Sequence, residues 1–228
     1  RADQGEELMN LETPVSDWDA ALRTGDVMAP LVQWRESLAG RPVTINREGL
    51  VAHYDFDGSL ADSSGGYEHG RTLKGDPAFG SGQVSRSVSF DAQTLVTFGN
   101  RTGALRHDSP FSVAFWLRPT GSKQDMPVLQ KIENTETRRG WEVWLTDYVL
   151  VDIQKRAGRI NVRFTSKWPD NALELRTREH FVQSEWAHIA VVSQGSGRGA
   201  GLTLYVNGVP AETEIVRDTL TGPITNAA

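Results

Sequence analysis

Gly201-Leu-Thr-Leu-Tyr-Val-Asn-Gly-Val-Pro210 decides the fold of this chain. Leu202, Leu204 and Val206 alternate with Thr203, Tyr205 and Asn207, the period of a half-buried strand. Asn207-Gly208 then supplies two residues that tolerate positive φ, the strongest short-range signal for a tight hairpin. Upstream, Ser184-Glu-Trp-Ala-His-Ile-Ala-Val-Val-Ser193 reads as a second strand, joined to the first by the Gly/Ser loop Gly195–Gly201.

The same grammar extends back to Gly49. Leu50-Val-Ala-His-Tyr-Asp-Phe-Asp57 alternates and ends in a turn at Asp57-Gly58, and Asp62-Ser-Ser-Gly-Gly66 is a second turn cluster. Ser87–Asp91, Thr94–Phe98, Val128–Ile132, Gly140–Leu145, Leu150–Gln154 and Ile160–Thr165 are further short strands. In Pro110–Pro119 the period is cleanest, with Phe111, Val113, Phe115 and Leu117 on one face. Many short strands with turn residues between them and no helical period predict an all-β sandwich or barrel. Residues 1–46 differ in kind. They are acidic, interrupted by Pro14, Pro30 and Pro42, and predict a helical or irregular linker with one or two short helices, one of them starting at Pro30 and stopped by Gly40 and Pro42.

The totals bound the function. At 228 residues the chain holds one large β domain or two small ones. The net charge is −5, and residues 1–46 hold four basic against eight acidic side chains, leaving 20 against 21 elsewhere. So near-neutral a domain argues against nucleic acid as a partner. No run approaches the ~18 apolar residues of a membrane span. Zero cysteines exclude disulfides, thiolate metal sites and thiol nucleophiles. The chain opens on Arg1 without a basic-then-apolar leader, so it reads as a fragment of a longer chain.

Several segments together carry a resemblance. They are the Tyr54-x-Phe56 strand followed by Asp62-Ser-Ser-Gly65, and the approach from Gly82 to Ser89-Phe90-Asp91. To these are added Phe111 to Trp116, Trp186-x-His188-Ile-Ala190 and the Leu-Tyr-Val-Asn-Gly208 hairpin. This pattern resembles the laminin-G-like domain of the concanavalin A-like lectin/glucanase superfamily. Trp168-Pro-Asp-Asn-Ala172 and Asp218-Thr-Leu-Thr-Gly-Pro-Ile224 are similar to the version embedded in large multidomain planctomycete proteins with cytochrome-c-like regions, although no Cys-x-x-Cys-His haem site is present.

The resemblance implies an antiparallel two-sheet jelly-roll sandwich over 47–228, preceded by the short helical linker of 1–46. It also implies truncation before the last strands, which would leave Leu50–Asp57 without its usual neighbour. The role it implies is non-catalytic recognition of a glycan or an extracellular protein surface, in an exported protein alongside other domains of the parent chain. A rival reading is a structural or protein-interaction spacer without a small ligand.

The glucanases of the same fold make an enzyme the third reading. Retaining glycosidases need two carboxylates ~5 Å apart, which related laminarinases place on one strand as Glu-x-Asp-x-x-Glu or Glu-x-Asp-x-Glu. That run is absent; Asp152 stands alone, and Glu212-Thr-Glu214 lacks a third member. We therefore expect no enzyme activity. Asp55, Asp57 and Asp62 share one turn-rich segment and are candidate ligands for a structural Ca²⁺, although such a turn forms without an ion as well.

For a glycan, apolar ring faces and neighbouring polar groups matter. Alternation puts Trp141, Val143 and Leu145 in the core and turns Trp144 outward with Glu142 and Thr146. It places Trp116 with Arg118, Tyr205 with Thr203 and Asn207, and Arg163 on a polar face. These residues are the candidate lining of the concave face of the second sheet, and Trp168, in a loop, is a further candidate. The competing reading covers Trp116 and Tyr205 with loops or a neighbouring strand and makes Trp168 a loop anchor. Trp186 is assigned to the core.

Overall fold

A computed structural model describes residues 47–91, 93–120, 125–150, 156–182 and 185–227. The expected helix near Pro30 and the strand continuation at 151–154 lie outside them. Leu50–Ala228 forms one compact unit, and among the described residues it is built of strands and one 3-10 turn.

In chain order the strands are β1 (Arg71–Lys74), β2 (Ala78–Ser81), β3 (Arg86–Ser89), β4 (Leu95–Thr97), β5 (Pro110–Leu117), β6 (Met126–Ile132) and β7 (Gly140–Leu150). They continue as β8 (Arg156–Lys167), β9 (Asn171–Thr177), β10 (Phe181–Val182), β11 (Ala187–Gln194), β12 (Leu202–Val206), β13 (Val209–Pro210) and β14 (Thr213–Asp218). The larger sheet runs β14-β9-β8-β7-β6, with β10 on β8, and the smaller runs β13-β12-β11-β5. β1 pairs with β4 and β2 with β3, and all of these ladders are antiparallel. This is the expected two-sheet sandwich.

The two sheets close on one apolar core. The larger contributes Trp141, Val143 and Leu145 from β7, Ile160, Val162 and Phe164 from β8, and Leu173 and Leu175 from β9. The smaller contributes Ile189, Val191, Leu202 and Leu204, and the last segment adds Leu220 and Ile224. Trp141 is core as the alternation required, and its indole N–H donates to Gly103 O at 2.7 Å. In β5 the half-buried positions are Phe111, Val113, Phe115 and Leu117, again as the period required.

The opening hairpin signal is realised. Val206 faces Val209 across Asn207 and Gly208, whose φ values are 50° and 81°, the left-handed pair that a two-residue turn needs. The Asn207 side chain also accepts the His188 N–H at 2.8 Å, tying the turn to β11.

One expected strand is replaced by irregular chain. Within Leu50–Asp57 only Tyr54 bridges, to Asp62. Phe56 has φ 59°, which breaks an extended run. In place of a ladder, the Asp62 carboxylate accepts backbone N–H groups from His53 (3.0 Å), Ser64 (2.9 Å) and Glu68 (3.3 Å). Tyr54 packs its ring on Phe98 with centroids 4.4 Å apart and donates its hydroxyl to Glu68 O at 2.7 Å. Trp186 likewise departs from expectation. It is half-buried, with the Arg118 guanidinium 5.0 Å from its ring, because it precedes β11 at the sandwich rim.

Candidate functional site

The outward face of the larger sheet carries a ladder of opposite charges. Register aligns Gln130, Glu142, Arg163 and Glu174 on β6 to β9, with Arg217 of β14 at the end of the row. The adjacent row is Trp144, Asn161, Arg176 and Glu214. On β7, β8 and β9 these residues alternate with core residues, so burying Val143, Val162, Leu173 and Leu175 turns them to the opposite face of the sheet.

Arg163 is the centre. One guanidinium nitrogen donates to Glu142 Oε1, and another lies 3.7 Å from Glu174 Oε2. Its guanidinium also lies 4.8 Å from the Trp144 ring and 4.0 Å from the Trp168 ring. Such contacts stabilise a guanidinium by about 0.5–2 kcal/mol each, more where water is excluded. Arg138 approaches Glu142 from the β6–β7 turn at 3.7 Å. Trp168 is placed by its own backbone N–H, which donates to Thr137 O at 2.8 Å. In the second row Glu214 pairs with Arg176 at 2.7 Å and with Arg159 at 3.2 Å. The hydrogen bond from Arg176 leads in holding the Glu214 carboxyl below its ordinary range.

Glu174 behaves differently. Burial pushes its carboxyl up, against the pull of the Arg163, Arg217 and Arg176 charges and with a further push from Glu142. A carboxylate so placed is held by charges around it rather than by close donors.

The structure therefore brings Glu142, Trp144, Arg163 and Trp168 together and separates them from the other expected residues. Trp116 and Tyr205 belong to the smaller sheet, with Arg118 just past the end of β5, because β5 and β12 both flank β11 rather than β6. The concave-face assignment that joined Trp116, Arg118 and Tyr205 to Glu142, Trp144 and Arg163 is corrected in this respect. Trp116 is 44% exposed and meets His188 edge-on at 5.2 Å. With Trp186, Asn207 and Gln83 these two residues line an open depression.

Asp55, Asp57 and Asp62 do not converge on a common point. Asp55 lies 3.5 Å from the His53 ring, Asp57 accepts the Arg86 N–H, and Asp62 serves its three backbone donors. Burial alone would raise the Asp62 carboxyl. The Ser64 hydroxyl and the backbone donors outweigh it and lower the value to about 2. No group of three or more His, Asp or Glu among the described residues is arranged to hold a metal ion.

Sequence reasoning missed Glu174, Arg176, Glu214 and Arg217, which complete both rows. The signal was present in Ala172-Leu-Glu-Leu-Arg-Thr177, where two leucines alternate with two charges.

A laminin G family model, described as the concanavalin A-like lectin/glucanases superfamily, matches residues 90–227, more than half of the chain. No curated protein matches it. The chain belongs to this superfamily. The match begins at Phe90, so the Tyr54-x-Phe56 and Asp62–Gly65 segments lie outside it.

Proposed function

From that membership, we propose that this domain is a non-catalytic, lectin-like recognition module of a larger exported protein, binding a glycan across the outward face of its larger sheet. The observation that carries the reading is the gathering of the Trp144 and Trp168 rings around Arg163, with Glu142 and Glu174 beside it. Indole faces suit the C–H face of a pyranose, and the charged groups between them suit its hydroxyls.

The same geometry supports a non-catalytic role. A glycosidase keeps the space between its two carboxylates open for the scissile bond and, in inverting enzymes, a water. Here the Arg163 guanidinium stands between Glu142 and Glu174 and interacts with both. Among the described residues no helix is long and apolar enough to cross a membrane.

Binding of the pure protein to an immobilised polysaccharide panel tests the reading. Trp144→Ala and Trp168→Ala should each weaken retention by up to about tenfold, since an aromatic stacking contact contributes about 0.5–1.5 kcal/mol. Retention of no polysaccharide would favour the spacer. Hydrolysis abolished by Glu142→Gln or Glu174→Gln would replace the lectin reading with an enzyme.

A further inference from the structure

We infer that the free edge of β5 is a docking site for one extended strand donated by a partner protein, apolar at every second residue. This surface is separate from the outward face proposed above for glycan, and it stands or falls independently.

Four strands end the two sheets, and three of them are blunted. β14 carries Glu214, Arg217 and Asp218 and a register shift between Ile215 and Arg217. β6 carries Pro127 and a shift between Pro127 and Leu129. β13 is two residues long and ends in Pro210. Charges, prolines, bulges and shortness are the devices that keep a sheet edge from pairing. Past its first residue, β5 has none of them over Pro110–Leu117. It carries no charged side chain, and its register with β11 is unbroken from Pro110 to Leu117. Among the described residues no strand pairs with its other side.

The packing around this edge defines the occupant. The core-facing row Phe111, Val113, Phe115 and Leu117 is half-buried, whereas Ile189 and Val191 beside it on β11 are fully buried. Phe111 meets Phe164 of β8 with ring centroids 5.6 Å apart, so β5 ends the smaller sheet over the middle of the larger one. On β6, two strands beyond β8, Met126, Val128 and Leu129 are half-buried as well. A strand paired to β5 would cover both rows, with apolar side chains inward and small or polar ones beside Ser112 and Ala114. A charge in its inward row would be buried without a partner. A second copy would set one net charge of −5 against another, a repulsion that an uncharged partner strand avoids.

The test offers the full chain a peptide of the β11 sequence, Ala187–Gln194, which already pairs with β5 on its other side. At ten times its titrated Kd, the peptide should slow hydrogen exchange about tenfold at alternate amides from Phe111 to Leu117. The same peptide carrying Val191→Pro, and one with its residues scrambled to break the alternation, should protect far less. Sedimentation of the chain without peptide should show a monomer. Three results overturn the docking edge: no binding of the alternating peptide, equal protection by the scrambled one, or protection that falls on β6, β13 or β14. A dimer whose β5 amides are protected before peptide is added assigns the edge to a second copy and overturns the partner strand.

Discussion

From Leu50 to Asn100 the only buried residue among those described is a carboxylate, Asp62, whereas every buried core hydrophobic lies between Trp141 and Ile224. The first region holds its chain by polar means, with backbone N–H groups gathered on Asp62 and small aromatic contacts among Tyr54, Phe56 and Phe98. Its apolar side chains, such as Leu73 (62% exposed) and Phe90 (53% exposed), face solvent. The second region is held by interdigitated Leu, Ile and Val from two sheets. One chain thus uses two sources of order, and they should respond to different perturbations.

Core truncation should show the largest effect. Leu173→Ala in β9 removes a fully buried side chain and leaves a cavity, for a loss of about 2–5 kcal/mol in urea denaturation. Leu73→Ala should stay within about 0.5 kcal/mol of the parent. Comparable losses at the two positions would show that the first region packs its apolar side chains in solution, and the contrast would be gone.

Asp62→Ala comes next. Hydrogen bonds to a charged acceptor contribute about 1.5–3 kcal/mol, and this carboxylate serves three backbone donors at once. Amide exchange should accelerate at His53, Ser64 and Glu68 while β7, β8 and β9 keep their protection. Acceleration spread evenly over both regions would mean that they unfold as one unit.

The contrast also explains what could be read in advance. β5, β7, β8, β11, β12 and the Asn207-Gly208 turn were legible because burying one face imposes a period of two on the sequence. Leu50–Asp57 has that period too, yet it forms no ladder, because Asp62 captures the His53 N–H that a partner strand would take. Alternation reports which side of a strand a residue occupies, not which strand lies beside it. Alternation therefore sets Trp144 and Arg163 on the face away from the core, but it carries no sign that Trp116 and Tyr205 lie on the other sheet. Glu174 and Arg217 escaped notice because their meaning depends on register across β8, β9 and β14, which no single strand encodes.

The finest test sets two buried carboxylates against each other, Asp62 at 7% exposure and Glu174 at 8%. Burial pushes both up, but donors hold Asp62 at about 2, whereas Glu174 stays raised. Asp62 is more acidic in the fold than its ordinary 3.8, so its contribution is present above that value and fades as pH falls through about 2. Glu174 has the opposite sign. Its raised carboxyl favours the fold below the ordinary 4.5, and that contribution is lost as pH rises through the folded value. Arg163, Arg217 and Arg176 limit the loss by attracting the charged form, and Glu142 adds to it. Glu174→Gln should therefore flatten the fall in stability above pH 4.5, and Asp62→Asn should flatten the fall below 3.8. Midpoints of urea denaturation across this pH range, for the parent and both variants, measure the two slopes. A steeper fall above pH 4.5 in Glu174→Gln would mean that the arginines outweigh burial and that the ladder stabilises the fold as an ion-pair network.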